Sequence, residues 1–159
     1  MQTTQTTQRR KTKNAGPIPL PKTSKHLHHL LEWYGHLNAR DLRNIHEHYS
    51  RDAFFKDPFV EVYTADEIKN YYERTLNRLT NVHFVFENII EEERQAFVTW
   101  MMTARIFGKE FSVQGTSHLK FDSSGLCEYH RDYFDLSEEV YEHLPLVGYI
   151  FRGIKRALN

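Results

Sequence analysis

The sequence predicts an α+β domain in which helices come first and an antiparallel sheet follows. Apolar residues between Leu27 and Leu79 recur at three- and four-residue steps, the spacing of amphipathic helices. From Val82 onward the pattern changes to alternation, as in Val82-His83-Phe84-Val85-Phe86. Tight-turn strings such as Gly108-Lys109 and Asp122-Ser123-Ser124-Gly125 divide that second half into strands.

The elements follow in order. Leu27, Leu30, Leu31, Tyr34 and Leu37 mark a first helix with Ser24 or Thr23 as its N-cap. After a break at Asn38-Ala39, Leu42, Ile45 and Tyr49 give a second, short helix. Residues Phe54 to Phe59 read as a short extended segment, ended by Pro58 because proline disfavours helical geometry at Asp57. Thr64-Ala65-Asp66-Glu67 forms a capping box that opens a third helix bearing Ile68, Tyr71, Tyr72, Thr75, Leu76 and Leu79. Strands are expected over 82–90, 96–107, 110–121 and 126–134, with Glu91-Glu92-Glu93 as a loop between the first two. Asp135 to Glu138 caps a short helix, and another runs from Pro145 through Leu158.

At 159 residues the chain fits one domain. Formal charge is zero, from 21 basic and 21 acidic residues, but unevenly spread. Residues 1–31 carry six bases and no acid, and 152–159 carry three bases, so the body between them is acidic. An acidic body argues against a broad nucleic-acid surface. The Gln/Thr-rich, then basic, stretch 1–22 reads as a tail without a core. No apolar run is long enough for a membrane span and no leader is visible, so a cytoplasmic protein is expected. A single cysteine, Cys127, excludes an internal disulfide, and no nearby base marks it as a nucleophile. No glycine-rich phosphate loop is present, and no cofactor is expected.

Several strings are familiar together: Leu37-Asn38-Ala39-Arg40-Asp41-Leu42, Phe55-Lys56-Asp57-Pro58-Phe59, the strand from Gly115 to Asp122, and Glu128 to Asp135. On them the chain resembles the nuclear transport factor 2-like superfamily, in its SnoaL-like and ketosteroid-isomerase-like branch, over 23–136. The resemblance implies a cone: a curved, mostly antiparallel sheet wrapped around the N-terminal helices, with a pocket inside. The segment 137–159 is then a C-terminal helical extension. The superfamily holds isomerases, cyclases, hydrolases and binding domains, so fold alone does not name an activity.

Strand alternation places His130, Asp132 and Phe134 on one face, with Ser117, Leu119 and Phe121 on the next strand and Trp100, Met102 and Ala104 beyond. The resemblance turns these faces into the pocket. Trp33, Tyr34, Tyr49 and Phe59 complete the expected lining. Asp57 stands where the isomerase-like members carry their catalytic base. A carboxylate in an apolar pocket is raised in pKa and can shuttle a proton alpha to a carbonyl. The plainer reading of Asp57 is a turn-former. His130 and Asp132 could form an acid–base pair, unless a bulge turns Arg131 and Asp132 outward together. The resemblance implies an acidic donor on the penultimate strand and a tyrosine on the first helix. This chain has Ser117 and Trp33 there, with Tyr34 adjacent, which argues against steroid isomerisation itself.

His26-x-His28-His29 and His46-x-His48 are expected to be solvated, and no metal site is expected, because histidines two apart do not share a helix face. The expected function is a cofactor-free isomerase or cyclase acting on a small hydrophobic carbonyl compound. The alternative is a non-catalytic domain that binds a small ligand or dimerises. A small hydrophobic ligand and a homodimer are the expected partners, with no nucleic acid. Leu146, Val147, Ile150, Phe151, Ile154 and Leu158 make the last helix amphipathic, either packed on the fold or in weak contact with a membrane surface.

Overall fold

A computed structural model describes residues 23–134. The basic stretch 1–22 and the extension 137–159 lie outside the described residues. Helix α1 spans Lys25–Gly35. Ser24 caps it, its hydroxyl accepting the Leu27 N–H at 3.2 Å, while its own N–H donates to Glu91 Oε2 at 2.8 Å. Leu27, Leu30, Leu31, Trp33 and Tyr34 are buried, and each buried leucine contributes roughly 1.5–3 kcal/mol of transfer free energy.

The second helix differs from expectation. It is a 3-10 turn, Asp41–Glu47, irregular at Asn44. Leu42 and Ile45 are three apart, which matches a 3-10 period, and both are buried. Tyr49 is therefore not on a helix; it begins strand β1, Tyr49–Lys56. The short strand β2, Glu61–Val62, follows Pro58 and pairs back on β1.

Helix α2 spans Ala65–Leu76. Thr64 accepts from Glu67 N–H at 3.2 Å, and Glu67 reaches back to the N–H of Tyr63 at 3.0 Å, one residue upstream of the usual capping-box donor. The helix ends at Leu76, so Leu79 lies in the connection to β3.

Strands β3 (Thr80–Glu92), β4 (Gln95–Ile106), β5 (Lys109–Phe121) and β6 (Cys127–Phe134) form the body of the sheet. Glu91 and Glu92 belong to β3 rather than to a loop, because Glu92 pairs directly with Gln95 across a two-residue turn, with Glu93 at φ +52°. At the next hairpin Ile106 pairs with Lys109. The turn is Phe107-Gly108, one residue earlier than the sequence suggested. Both residues take positive φ, as a type I′ turn requires.

The six strands run in the order β2-β1-β6-β5-β4-β3. Neighbours are antiparallel except β1 and β6, which are parallel. Register shifts at Phe86/Asn88 and Lys120/Phe121 bend the sheet. The result is a curved, unclosed α+β cone, with α1 against β3 and α2 against β1. No helix among the described residues is long and apolar enough to cross a membrane.

Two features of the sheet generate tests. Gly115 lies opposite Trp100, and a Cβ there would come within 2.5 Å of the indole and 3.0 Å of Phe134 Cβ. Gly115→Ala is expected to lower stability by about 1–3 kcal/mol through overpacking, read by urea unfolding. Asp122 ties the β5–β6 turn to the start of β1. Partial burial raises its carboxyl, but hydroxyls of Ser124 and Ser50 and the N–H groups of Leu126 and Ser124 outweigh it and hold it at about 2. A carboxylate lowered on folding contributes stability that is present above its unfolded value, about 3.9. That stability is lost as pH falls through about 2. Asp122→Asn is expected to flatten the fall in stability between about pH 4 and pH 2, again read by urea unfolding.

Candidate active site

Inside the cone is a cavity of about 210 Å³ walled by Tyr34, Phe55, Phe59, Tyr71, Tyr72, Phe84, Phe86, Trp100, Phe111 and Phe134. Two aspartates, Asp57 and Asp132, complete its wall, with Ser117, His130, Leu119 and Met102. Asp57, Trp100, Asp132 and Phe134 also border a wider open groove of about 1160 Å³.

The parallel β1–β6 pairing brings the end of β1 beside His130 and Arg131, which places Asp57 at the wall near the last strand. Asp57 is 7 % exposed. Its two oxygens have separate tasks. Oδ1 accepts the N–H groups of Phe59 at 2.7 Å and Val60 at 2.8 Å, forming the turn at Pro58. Oδ2 accepts the hydroxyl of Tyr71 from α2. Burial raises the carboxyl above its usual range, and nearby Asp132 adds to that. The bonds from Tyr71, Phe59 and Val60 pull the other way without cancelling the burial.

Asp132 lies directly across the sheet from Ser117. Its Oδ1 accepts the Ser117 hydroxyl at 2.5 Å and pairs with His130 Nε2 at 2.8 Å. Trp100 Nε1–H donates to Ser117 Oγ at 2.9 Å. His130 is 2 % exposed, and its other nitrogen, Nδ1, meets the Tyr49 hydroxyl at 2.6 Å. Tyr49 meets Tyr34 at 2.7 Å, and Tyr34 meets Tyr72. A continuous hydrogen-bond chain thus crosses from β4 through β5, β6 and β1 to both α-helices. Burial raises the hydroxyls of Tyr34, Tyr49, Tyr71 and Tyr72, so all four stay protonated at neutral pH.

Asp57, Asp132, His130, Tyr34, Phe59, Trp100, Met102, Ser117, Leu119 and Phe134 all meet at this cavity, and no bulge turns Asp132 outward. Trp33 and Tyr49 do not line it. One residue is about 100° of helix rotation, so Trp33 faces the 3-10 turn, stacks on His48 at 4.5 Å and donates to Asp41 O. Tyr34, not Trp33, supplies the helix-α1 hydroxyl at the wall. Tyr49 sits behind His130, its ring parallel to the imidazole. Tyr71 and Tyr72 were missed as site residues, although their adjacency on α2 was a readable signal, since neighbouring residues on a helix face different partners. His118 points to the outer face, where it stacks on Phe97 at 4.3 Å.

The paired histidine strings are solvated except for His48, which is 6 % exposed between Trp33 and His29. Burial, with His29 beside it, takes its imidazole down to about 4. Its Nδ1 has no partner among the described residues. Cys127 is fully buried, with its thiol pushed up by that burial. Among the described residues no three His, Cys, Asp or Glu side chains gather as metal ligands would.

Solved structures share this fold at low identity. An NTF2-like protein of unknown function from Burkholderia pseudomallei aligns with a TM-score of 0.64 and 14 % identity, covering 74 % of this chain and 93 % of its own. A Mycobacterium tuberculosis epoxide hydrolase aligns with a TM-score of 0.62 and 14 % identity, over 80 % and 96 % of the two chains. A proposed isomerase of the SnoaL-like family from Agrobacterium tumefaciens gives 0.58 and 13 %, over 70 % and 99 %. No curated protein matches the sequence. The family model of the SnoaL-like domain matches residues 30–130, which is most of the described cone, and the chain belongs to that family.

Proposed function

We propose that the protein is a cofactor-free isomerase- or cyclase-type catalyst that moves a proton on a small hydrophobic carbonyl compound. The observation that supports this reading is Asp57 Oδ2. It is a buried carboxylate oxygen at the wall of an aromatic cavity, raised in pKa and held in aim by Oδ1 and the turn. A base of this kind breaks the C–H bond alpha to the carbonyl, taking the proton on Oδ2 while the electron pair moves into the carbonyl. It then returns the proton at a second carbon.

Asp132 is the second carboxyl at the wall, where it can accept from a donor group elsewhere on the substrate. His130 has both ring nitrogens engaged, so it acts as a positioning residue through Asp132. The cavity sets the size of the reacting group. Its enclosed part, about 210 Å³, adjoins the open groove of about 1160 Å³, so a compact reacting group fits inside and any larger remainder of the substrate would lie in the groove.

The test uses a panel of small ring ketones, cyclohexanone and cyclohexenone among them, incubated in deuterated water and followed by proton NMR. Wild type is expected to catalyse deuterium uptake alpha to the carbonyl. Asp57→Asn keeps an oxygen for the Phe59 and Val60 N–H groups, so the fold is retained while uptake falls by about 10²-fold or more. Equal uptake in both proteins would reject Asp57 as the base and favour a binding domain without turnover.

The pH dependence has a fixed sign. Asp57 must be ionised to accept a proton, so the rate falls as pH drops through its raised pKa. That acid limb is expected above about 4, the ordinary carboxylate region. Tyr71→Phe removes a hydrogen bond that favours the anion, so the limb is expected to move to higher pH, read from the rate profile.

A further inference from the structure

We infer that the ligand of the cavity carries a positive charge: a small tertiary or quaternary ammonium compound whose nitrogen sits at Asp132 among the rings of Phe84, Trp100 and Phe134. The inference rests on the preceding reading only in taking the same cavity as the ligand site, and it specifies the polar end of that ligand.

The argument starts from a census of donors. Ser117 gives its proton to Asp132 Oδ1, and Trp100 Nε1–H gives its proton to Ser117. Asp132 Oδ1 accepts from Ser117, and His130 donates to the same oxygen from Nε2; an imidazole that carries its one proton on Nε2 leaves Nδ1 as an acceptor. Tyr49 therefore donates to His130, Tyr34 to Tyr49, and Tyr72 to Tyr34. Tyr71 donates to Asp57. Each of these protons is committed. Among the described residues no lysine or arginine lines the cavity. An anionic ligand finds no cation there to balance its charge.

Acceptors remain. Asp132 Oδ2 makes no hydrogen bond among the described residues, although its side chain is only 15 % exposed. The Trp100 ring has Phe84 at 5.7 Å and Phe134 at 5.9 Å, centre to centre, and all three line the same cavity as Asp132. Aromatic rings carry negative electrostatic potential on their faces and attract desolvated cations, quaternary ammonium groups in particular. A carboxylate and three rings at one wall are complementary to such a group. They are not complementary to an anion. The charge also serves the proton transfer. Negative charge that moves onto the substrate's carbonyl oxygen when Asp57 takes the proton needs a positive partner, and no lysine or arginine among the described residues of the wall offers one.

The test is isothermal titration of the full-length protein with choline and, separately, with dimethylbutanol, its neutral carbon isostere. The two have the same shape and size, so the cavity's packing treats them alike and only charge separates them. Choline is expected to bind at least about tenfold more tightly, from cation–π and charge attraction together. Asp132→Asn is expected to remove that margin while dimethylbutanol binding stays. Phe84→Leu leaves the hydrogen-bond chain whole and removes one ring. It is expected to weaken choline by about threefold or more, with little change for the alcohol. It serves as the decisive variant if Asp132→Asn fails to fold. Equal binding of the two probes, or no binding of choline, overturns the inference. The deuterium assay is independent of this titration, so failure of the base and failure of the charge preference are read separately.

Discussion

The polar side chains at the floor of the cavity share one acceptor. Asp132 Oδ1 receives Ser117 and His130, and from those two contacts the direction of every further hydrogen bond follows: Trp100 to Ser117 on one side, Tyr49, Tyr34 and Tyr72 on the other. A buried polar group without a partner costs about 1–3 kcal/mol, so the chain forms whole or not at all. It also joins six elements, because its members come from α1, α2, β1, β4, β5 and β6. Strands β4, β5, β6 and β1 and both helices are thereby joined through one carboxyl oxygen. The Tyr34–Tyr49 and Tyr34–Tyr72 hydrogen bonds join both helices to β1, alongside the Ser24 N–H to Glu91 bond and the Tyr71 to Asp57 bond.

Asp57 answers to different physics. It has four acceptor sites and three donors, two of them backbone N–H groups of its own turn. The turn-forming role and the proposed catalytic role, which look exclusive in the sequence, need not compete: one oxygen holds the turn, and the other takes the Tyr71 hydroxyl in a residue that lines the cavity. The two carboxyls thus sit in one cavity with unlike surroundings, Asp57 beside backbone amides and a phenol, Asp132 beside an imidazole and a hydroxyl. Unlike surroundings are what separate the tasks of paired carboxyl groups in an active site.

Much of the fold was legible because its signals are local. The Ser24 cap, the Thr64 capping box and the alternation of β3 to β6 depend on neighbours a few residues apart. Strand alternation grouped His130 with Asp132 and set Ser117 and Trp100 on faces of their own strands, and the family resemblance joined those faces into one pocket. What escaped depended on distant contacts or on a shift of one residue. Tyr49 has helical spacing from Leu42 and Ile45, yet pairing with Cys127 draws it into β1. Trp33 and Tyr34 carry equal propensity for the pocket, and only the seat of α1 on the sheet decides between them. His48 reads as surface in sequence and is buried because β1 begins right after it and draws it under Trp33. The hydrogen-bond chain joins residues 34, 49, 72 and 130, and no sequence pattern encodes such a link.

The direction of that chain is the claim on which the other assignments rest, and the protonation pattern of His130 reads it. Nitrogen–proton correlation NMR at neutral pH reports each ring nitrogen separately. The account predicts a neutral imidazole with the proton on Nε2, facing Asp132, and a bare Nδ1 accepting from Tyr49. A proton on Nδ1 would contradict it, because the tyrosine chain would then run the other way and end with a free hydroxyl proton at Tyr72, facing the cavity as a donor.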